Sequence, residues 1–347
     1  MYFQALQTET KLLAERFAEI DDEVITIFVG GGTPSLINLD YFYKWLELLK
    51  KSFKVTSDIE FSIENNPDSI TFEILKTFKD MGVNRPIFGI QSFNTELLKI
   101  LHRKHNPHYS QRAIYYANIL GFRNYGVDII FGLPHQTVRT LSDDIEQIID
   151  LKPPHISFYQ LTVEENTTLG ALVNSGQLQL PDQELMLEMY RRGSETFKEA
   201  GYFRYEVSSF AQPGFECQHN LGYWEGRNYL GLGPSAHSFM NDRRWYNKPN
   251  LDEYIALLKN NELPQIVDQS GKDERITEAI MLGLRTSRGI DRSQFSRRFG
   301  MSVEKQLNIK QLELFVESGY ILQDKGSLRL SEKGTYIADE ITRRLLK

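Results

Sequence analysis

Between Val24 and Leu161, short apolar runs and amphipathic segments alternate five times. Residues 24–29, 59–64, 85–91, 127–131 and 156–161 are rich in β-branched and aromatic side chains and read as strands. Residues 39–52, 71–81, 95–101, 110–120 and 137–149 place apolar side chains at helical spacing, and Gly82 and Gly121 end two of them. Strands joined through a helix lie parallel, because the crossover carries the chain back to the edge it started from. The rhythm therefore fixes the fold class as α/β with a parallel sheet.

The first run, VITIFV, passes straight into Gly30-Gly31-Gly32-Thr33-Pro34-Ser35. A short apolar run bounded by glycines reads as a strand buried on both faces. The glycines leave bare backbone at its C-terminal end, where parallel sheets and barrels bind ligands. The loop has neither the spacing of a dinucleotide fingerprint nor the Lys of a phosphate loop. On glycines alone, a tight turn and a ligand loop are equally compatible. More polar residues stand at matching places: Thr33 after the first strand, Glu64 ending the second, Gln91 ending the third, Asp128 on the fourth, Thr162 after the fifth. Arg103 follows the helix after Gln91 and is placed to hold a carboxylate. Together these groups suit an amino acid joined to a ribose, with backbone for the amine, Arg for the carboxylate and Glu or Asp for hydroxyls.

Outside the alternating region, residues 2–18 and 181–199 read as helices and 202–208 as a further strand. Residues 210–238 are rich in Gly, Pro and aromatics without periodicity, and 236–246 suit a hairpin around Asn241-Asp242. After a boundary near 261–272 come helices at 274–284, 291–299 and 303–318, two strands joined by Asp324-Lys325-Gly326, and a closing helix. Helices followed by a small β wing suggest a winged-helix-like α+β module. The expected segments are a barrel core at 1–165, an extension at 166–262 and the C-terminal module at 270–347. Arg288, Arg292, Arg297 and Arg298 make one face of that module basic. A solvated surface or a lid explains such a face more often than nucleic acid does, so nucleic acid is not the expected partner.

A net charge of −6 argues against general adhesion to nucleic acid or anionic membrane. No apolar run approaches a membrane span, and MYFQALQTETK lacks the layout of a secretory signal, so the expected compartment is the cytoplasm with no stable membrane insertion. One cysteine, Cys217, excludes an internal disulfide and a multi-cysteine metal site within these residues. His102, His105 and His108 lack a carboxylate partner and do not make a zinc site.

GGGTPS, IENNP, GIQSF, HRKH and DIIFGLP, in that order, resemble the radical S-adenosylmethionine family. The later YEVSSFAQPGFECQHNLGYW and YLGLGPSAHSF are similar to its branch of oxygen-independent coproporphyrinogen oxidases and haem-chaperone relatives. The resemblance implies a partial (β/α)6 barrel, with Gly31, Gly32, Thr33, Glu64, Gln91, Arg103, Asp128 and Thr162 at S-adenosylmethionine-contacting positions. It also implies a 4Fe-4S cluster held by CxxxCxxC just after the first barrel strand. The sequence contains neither that strand nor that motif, and one thiolate cannot replace three. The expectation is a chain that begins after that point, a fragment rather than a cluster-free paralogue, and unable to assemble the cluster as written. Pro86, Phe88, His102 and His135 stand where the family commonly has other residues, glycine at the last two.

His219-Asn220-Leu221-Gly222-Tyr223-Trp224 matches HNxxYW, which resembles the haem-chaperone branch. A neutral imidazole is a good axial haem ligand, and Tyr223, Trp224 and Tyr229 are suited to pack on a porphyrin. Cys217 and His237 are further candidate ligands, while Tyr205-Glu206 is expected to serve strand pairing and an ion pair with Arg204. The implied function is haem binding through His219 and delivery to haem-accepting respiratory proteins. The implied alternative is radical decarboxylation of coproporphyrinogen III, and a second alternative, read from the basic helix face, is nucleic-acid binding through the C-terminal winged helix.

Overall fold

The computed structural model describes residues 1–104 and 106–347, so the reading of His105 lies outside the described residues. Seven strands form the principal sheet: β1 (Val24–Val29), β2 (Val55–Asn65), β3 (Arg85–Gln91), β4 (Gly126–Phe131), β5 (His155–Gln160), β6 (Phe203–Glu206) and β7 (Ser209–Ala211). Their order is β1-β2-β3-β4-β5-β7-β6. β2 through β5 pair parallel, and β7 pairs antiparallel with both β5 and β6. The result is the parallel-rich sheet that the alternation calls for, curled into the partial barrel that the resemblance implies.

Local chemistry starts the crossover helices. Asn38, Thr71, Asn94, Asn106 and Thr137 each accept a backbone N–H in the first turn of the helix they precede. β3 is buried at all seven residues, as a central strand should be. β1 departs from expectation: only Ile27 is buried, and Ile25 is 47% exposed. Among the described residues it stands at the end of the sheet, with β2 as its neighbour. Residues 202–208 also differ, because they begin a hairpin whose second strand, β7, returns to pair with β5.

Contacts divide the chain into two units. The larger holds residues 29–35, 61–217 and 280–347. Within it, the helix Gln183–Glu199 buries Met189, Gly193 and Phe197. Its C-terminal part has the expected winged-helix-like order of helices Arg292–Phe299 and Ile309–Glu317, a wing hairpin and the closing helix Ala338–Leu345. Asp324 closes the wing by accepting the N–H groups of Gly326 and Ser327. Arg292 does not lie free on a basic face: it donates to Glu304 at 2.9 Å and to Gln323 at 3.0 Å.

The smaller unit holds residues 1–28, 36–60 and 218–279. Here β8 (His237–Met240) and β9 (Arg243–Asn247) form the expected hairpin, with β10 (Gln265–Val267) added to β9. Asn241 and Asp242 take φ of 52° and 60°, the left-handed geometry a tight two-residue turn requires. Trp45 donates to Thr10 at 3.1 Å, and Ala5, Tyr254 and Leu258 pack together. Beside them, fully buried Glu9 accepts from the Tyr254 hydroxyl at 2.5 Å, Asn247 Nδ2 at 2.5 Å and the Gly233 N–H at 2.9 Å.

Burial outweighs those three donors and pushes the Glu9 carboxyl up from 4.5 to about 7. The folded chain then keeps a proton that the unfolded chain loses above about 4.5, so this group's contribution to stability is full below that pH and is lost as pH rises through about 7. Denaturant unfolding at pH 5 and pH 8 is expected to show the Glu9→Gln variant gaining about 3 kcal/mol relative to the parent over that interval. A gap independent of pH would show that Glu9 is ionised throughout.

Candidate functional site

The parallel register decides what meets at the strand ends. Glu64 pairs with Ile87, Gly89 with Asp128, and Asp128 with Ser157, so these positions share one face of the sheet. Gly31 and Gly32 take φ of 79° and 61°, and a Cβ at either would meet nothing within 4 Å, so this is left-handed backbone bordering open space. The Gly31 N–H donates to Glu64 Oε2 at 3.3 Å. Arg103 Nη1 donates to Asn66 Oδ1 at 2.8 Å, and Asn66 Nδ2 donates to Thr33 Oγ1 at 3.4 Å. Loop, strand end and Arg103 are thereby tied into one group.

Gln91 sits at a bulge between β3 and β4 with φ of 69°. Its amide folds over Gly89, where a Cβ would come within 2.7 Å of Gln91 Nε2. Gln91 Oε1 is buried with no hydrogen-bond partner among the described residues. The turn is pinned from the helix Val138–Leu151: Asp144 accepts from Ser92 Oγ at 2.6 Å and the Phe93 N–H at 2.7 Å.

The carboxylates here are held towards their neutral forms. Burial, opposed by hydrogen bonds from Ser157 and Tyr159 and reinforced by the Glu64 charge, raises Asp128 to about 7. Burial also raises Glu64, against the Gly31 N–H. Deeper on the same face, Arg85 is fully buried and donates to the Phe215 carbonyl at 3.3 Å and to Asn124. Thr162 is not drawn into this group: it lies beyond β5, exposed.

A second arrangement, in the smaller unit, surrounds His219. HNLGYW belongs to a helix, Gln218–Trp224, rather than an aperiodic loop. The helix lacks a cap of its own in sequence, and Glu60 of β2 supplies one: Oε2 accepts the Gln218 N–H and Oε1 the His219 N–H, each at 3.0 Å. The imidazole stacks on Phe28 at 5.0 Å between centroids, with Nδ1 2.8 Å from Thr26 Oγ1 and Nε2 2.8 Å from the Tyr223 hydroxyl. Burial lowers its pKa to about 4, so the ring is neutral at physiological pH. Tyr229 meets Tyr223 edge-on at 4.6 Å.

Other candidates serve structure. Cys217 is buried, and its N–H donates to the Tyr205 hydroxyl at 3.3 Å, which also bonds His155 Nε2 at 2.7 Å. Glu206 accepts the Ser208 N–H at 2.9 Å. His237 is exposed on β8 and stacks on Tyr246. Sequence reading missed Asn66, Ser157, Tyr159, Asp144 and Thr26. Polar side chains at 155, 157 and 159 alternating with apolar 156 and 158 were the available signal for two of these.

Residues 6–148 match the Radical SAM superfamily, and residues 271–337 match the HemN C-terminal domain. The chain is 33% identical over 342 residues to the haem chaperone HemW of Bacillus subtilis, covering 98% of this chain and 89% of that one. It is 30% identical over 345 residues to that of Lactococcus lactis, covering 99% and 90%. The structure of coproporphyrinogen III oxidase (HemN) from Escherichia coli, a radical SAM enzyme, shares the fold at a TM-score of 0.83 and 22% identity, covering 99% of this chain and 82% of that one.

The half-buried, desolvated setting of His219 predicts that its ring resonances in NMR stay those of neutral imidazole from pH 8 to pH 5 and move only near pH 4. A midpoint near 6.5 would show a solvated ring.

Proposed function

We propose, on the premise that this chain belongs to the HemW family within the radical S-adenosylmethionine superfamily, that it carries haem on His219 and passes it to acceptor proteins. The single observation behind this reading is the setting of His219. Its ring is neutral, oriented by Phe28 stacking, and anchored at Nδ1, with the aromatic Tyr223 and Tyr229 alongside. A neutral, oriented imidazole is what an axial haem ligand requires. Respiratory haemoproteins are the proposed acceptors and the cytoplasm the proposed compartment. Among the described residues no helix is long and apolar enough to cross a membrane.

The family also implies S-adenosylmethionine and a 4Fe-4S cluster. The strand-end residues fit the first. Gln91 Oε1, without a partner among the described residues, offers an acceptor, the Gly31-Gly32 backbone borders open space, Glu64 and Asp128 suit ribose hydroxyls or the amine, and Arg103 suits the carboxylate. The cluster is different. Cys217, the single cysteine of these residues, does not supply a three-thiolate donor set.

Haemin titration tests the reading. The parent is expected to show a Soret shift that His219→Ala abolishes; an unchanged shift in that variant would remove His219 as the ligand. S-adenosylmethionine binding, followed by calorimetry, is expected to strengthen by several-fold from pH 6 to pH 8 as Asp128 ionises. Asp128→Asn is expected to bind about tenfold or more weakly and to lose that pH dependence.

A further inference from the structure

We propose that Thr26 and Tyr223 are positioning residues for His219: Thr26 fixes which ring nitrogen carries the proton, and the Tyr223 hydroxyl covers the other nitrogen until haem iron displaces it. This rests on the reading of His219 as the haem ligand.

A neutral imidazole has one N–H and one lone pair, and only the lone pair binds iron. In the structure both ring nitrogens are engaged, each 2.8 Å from a hydroxyl oxygen. The two partners are not equivalent. Thr26 lies on β1, and its contact with the ring is part-buried. Tyr223 lies on the exposed side, one helical turn after His219, and is itself 41% exposed. An approaching haem therefore meets Nε2. For Nε2 to offer its lone pair, Nδ1 must hold the proton and donate it to Thr26 Oγ1, which fixes tautomer and ring orientation together. In that tautomer the Tyr223 hydroxyl donates to Nε2, so the phenol occupies the lone pair that iron would take.

Loading then exchanges one bond for another at Nε2. The O–H···N hydrogen bond from Tyr223 breaks, the Nε2–iron bond forms, and the phenol keeps its proton and turns out to solvent. No proton or electron leaves the imidazole, and Nδ1–H stays on Thr26. Unloading runs the same exchange backwards, with the Tyr223 hydroxyl closing over Nε2 as iron departs. A carrier gains from this arrangement because the latch weakens holding and assists release.

Titrating the full chain with haemin, followed at the Soret band and by stopped flow, tests both residues. Tyr223→Phe removes the hydroxyl but keeps the ring, and is expected to bind haemin about three- to tenfold more tightly and release it more slowly. Thr26→Val keeps the shape but loses the acceptor, and is expected to bind about tenfold or more weakly. In the haem-free Thr26→Val variant, NMR is expected to show His219 nitrogen shifts of mixed tautomers where the parent shows Nδ1–H alone. Affinity unchanged or lowered in Tyr223→Phe, with His219→Ala still abolishing the shift, would overturn the latch while sparing the ligand. A single unchanged tautomer in Thr26→Val would overturn the role of Thr26. A Soret shift that survives His219→Ala would overturn both the ligand and the latch.

Discussion

The in-phase parallel pairing of β2 to β5 is the constraint from which the strand-end site follows. Side chains repeat every second residue, so pairing Gly89 with Asp128 and Asp128 with Ser157 sets these positions on one face. A slip of one residue would turn Asp128 into the apolar layer now filled by Val127 and Ile129, and would bring those two out in its place. The same register leaves Gly89 beneath the Gln91 amide, which a Cβ there would push aside. The bulge, the positive φ of Gln91 and the clamp from Asp144 belong to one local solution: the strand is turned sharply at its end so that an amide side chain faces the same space as the carboxylates.

Electrostatics at that face follows from geometry. Glu64 and Asp128 are close enough for the charge on one to raise the other, and both are half-buried. Two neighbouring, partly desolvated carboxylates do not readily ionise together without a compensating partner. The Gly31 N–H, Ser157 and Tyr159 compensate in part, and the buried guanidinium of Arg85 adds a positive field from below. The site therefore holds more acceptor capacity than its own donors fill. A cationic or hydroxyl-rich ligand completes such a set, and an anionic one does not.

Much of this was legible in the sequence because it depends on short-range pattern. The helix Leu39–Ser52 and strand β3 have the bounds their periodicity indicates, and the Asn241-Asp242 turn lies where a hairpin needs left-handed residues. His102 and His135, which stand at positions where the resembling family has glycine, adopt φ of 53° and 64°; the backbone keeps the glycine-like conformation with a bulkier residue. What escaped depends on distance. The helix Gln218–Trp224 is capped by a carboxylate about 160 residues earlier in the chain, so no local signal announces it. Asp144 reads as an ordinary polar position in an amphipathic helix until the Gln91 turn is seen against it. Thr26 looks like one more β-branched residue of an apolar strand, and its role shows only when His219, 193 residues later in the chain, is found against it.

Phe28 and Thr26, two residues apart on β1, point to the same side, giving the imidazole a stacking surface and a hydrogen-bond partner at once. Glu60 fixes the backbone of the helix from its first turn, so the ring is positioned by contacts at its nitrogen, its face and its own main chain. Only the Nε2 side is held by a residue of the same helix with solvent exposure, Tyr223. Three of the four restraints come from strands and cannot relax without disturbing the sheet, whereas the fourth relaxes by rotation of one side chain. A ligand nitrogen guarded in this unequal way is oriented when empty yet exchangeable on one side, the combination that transient carriage demands.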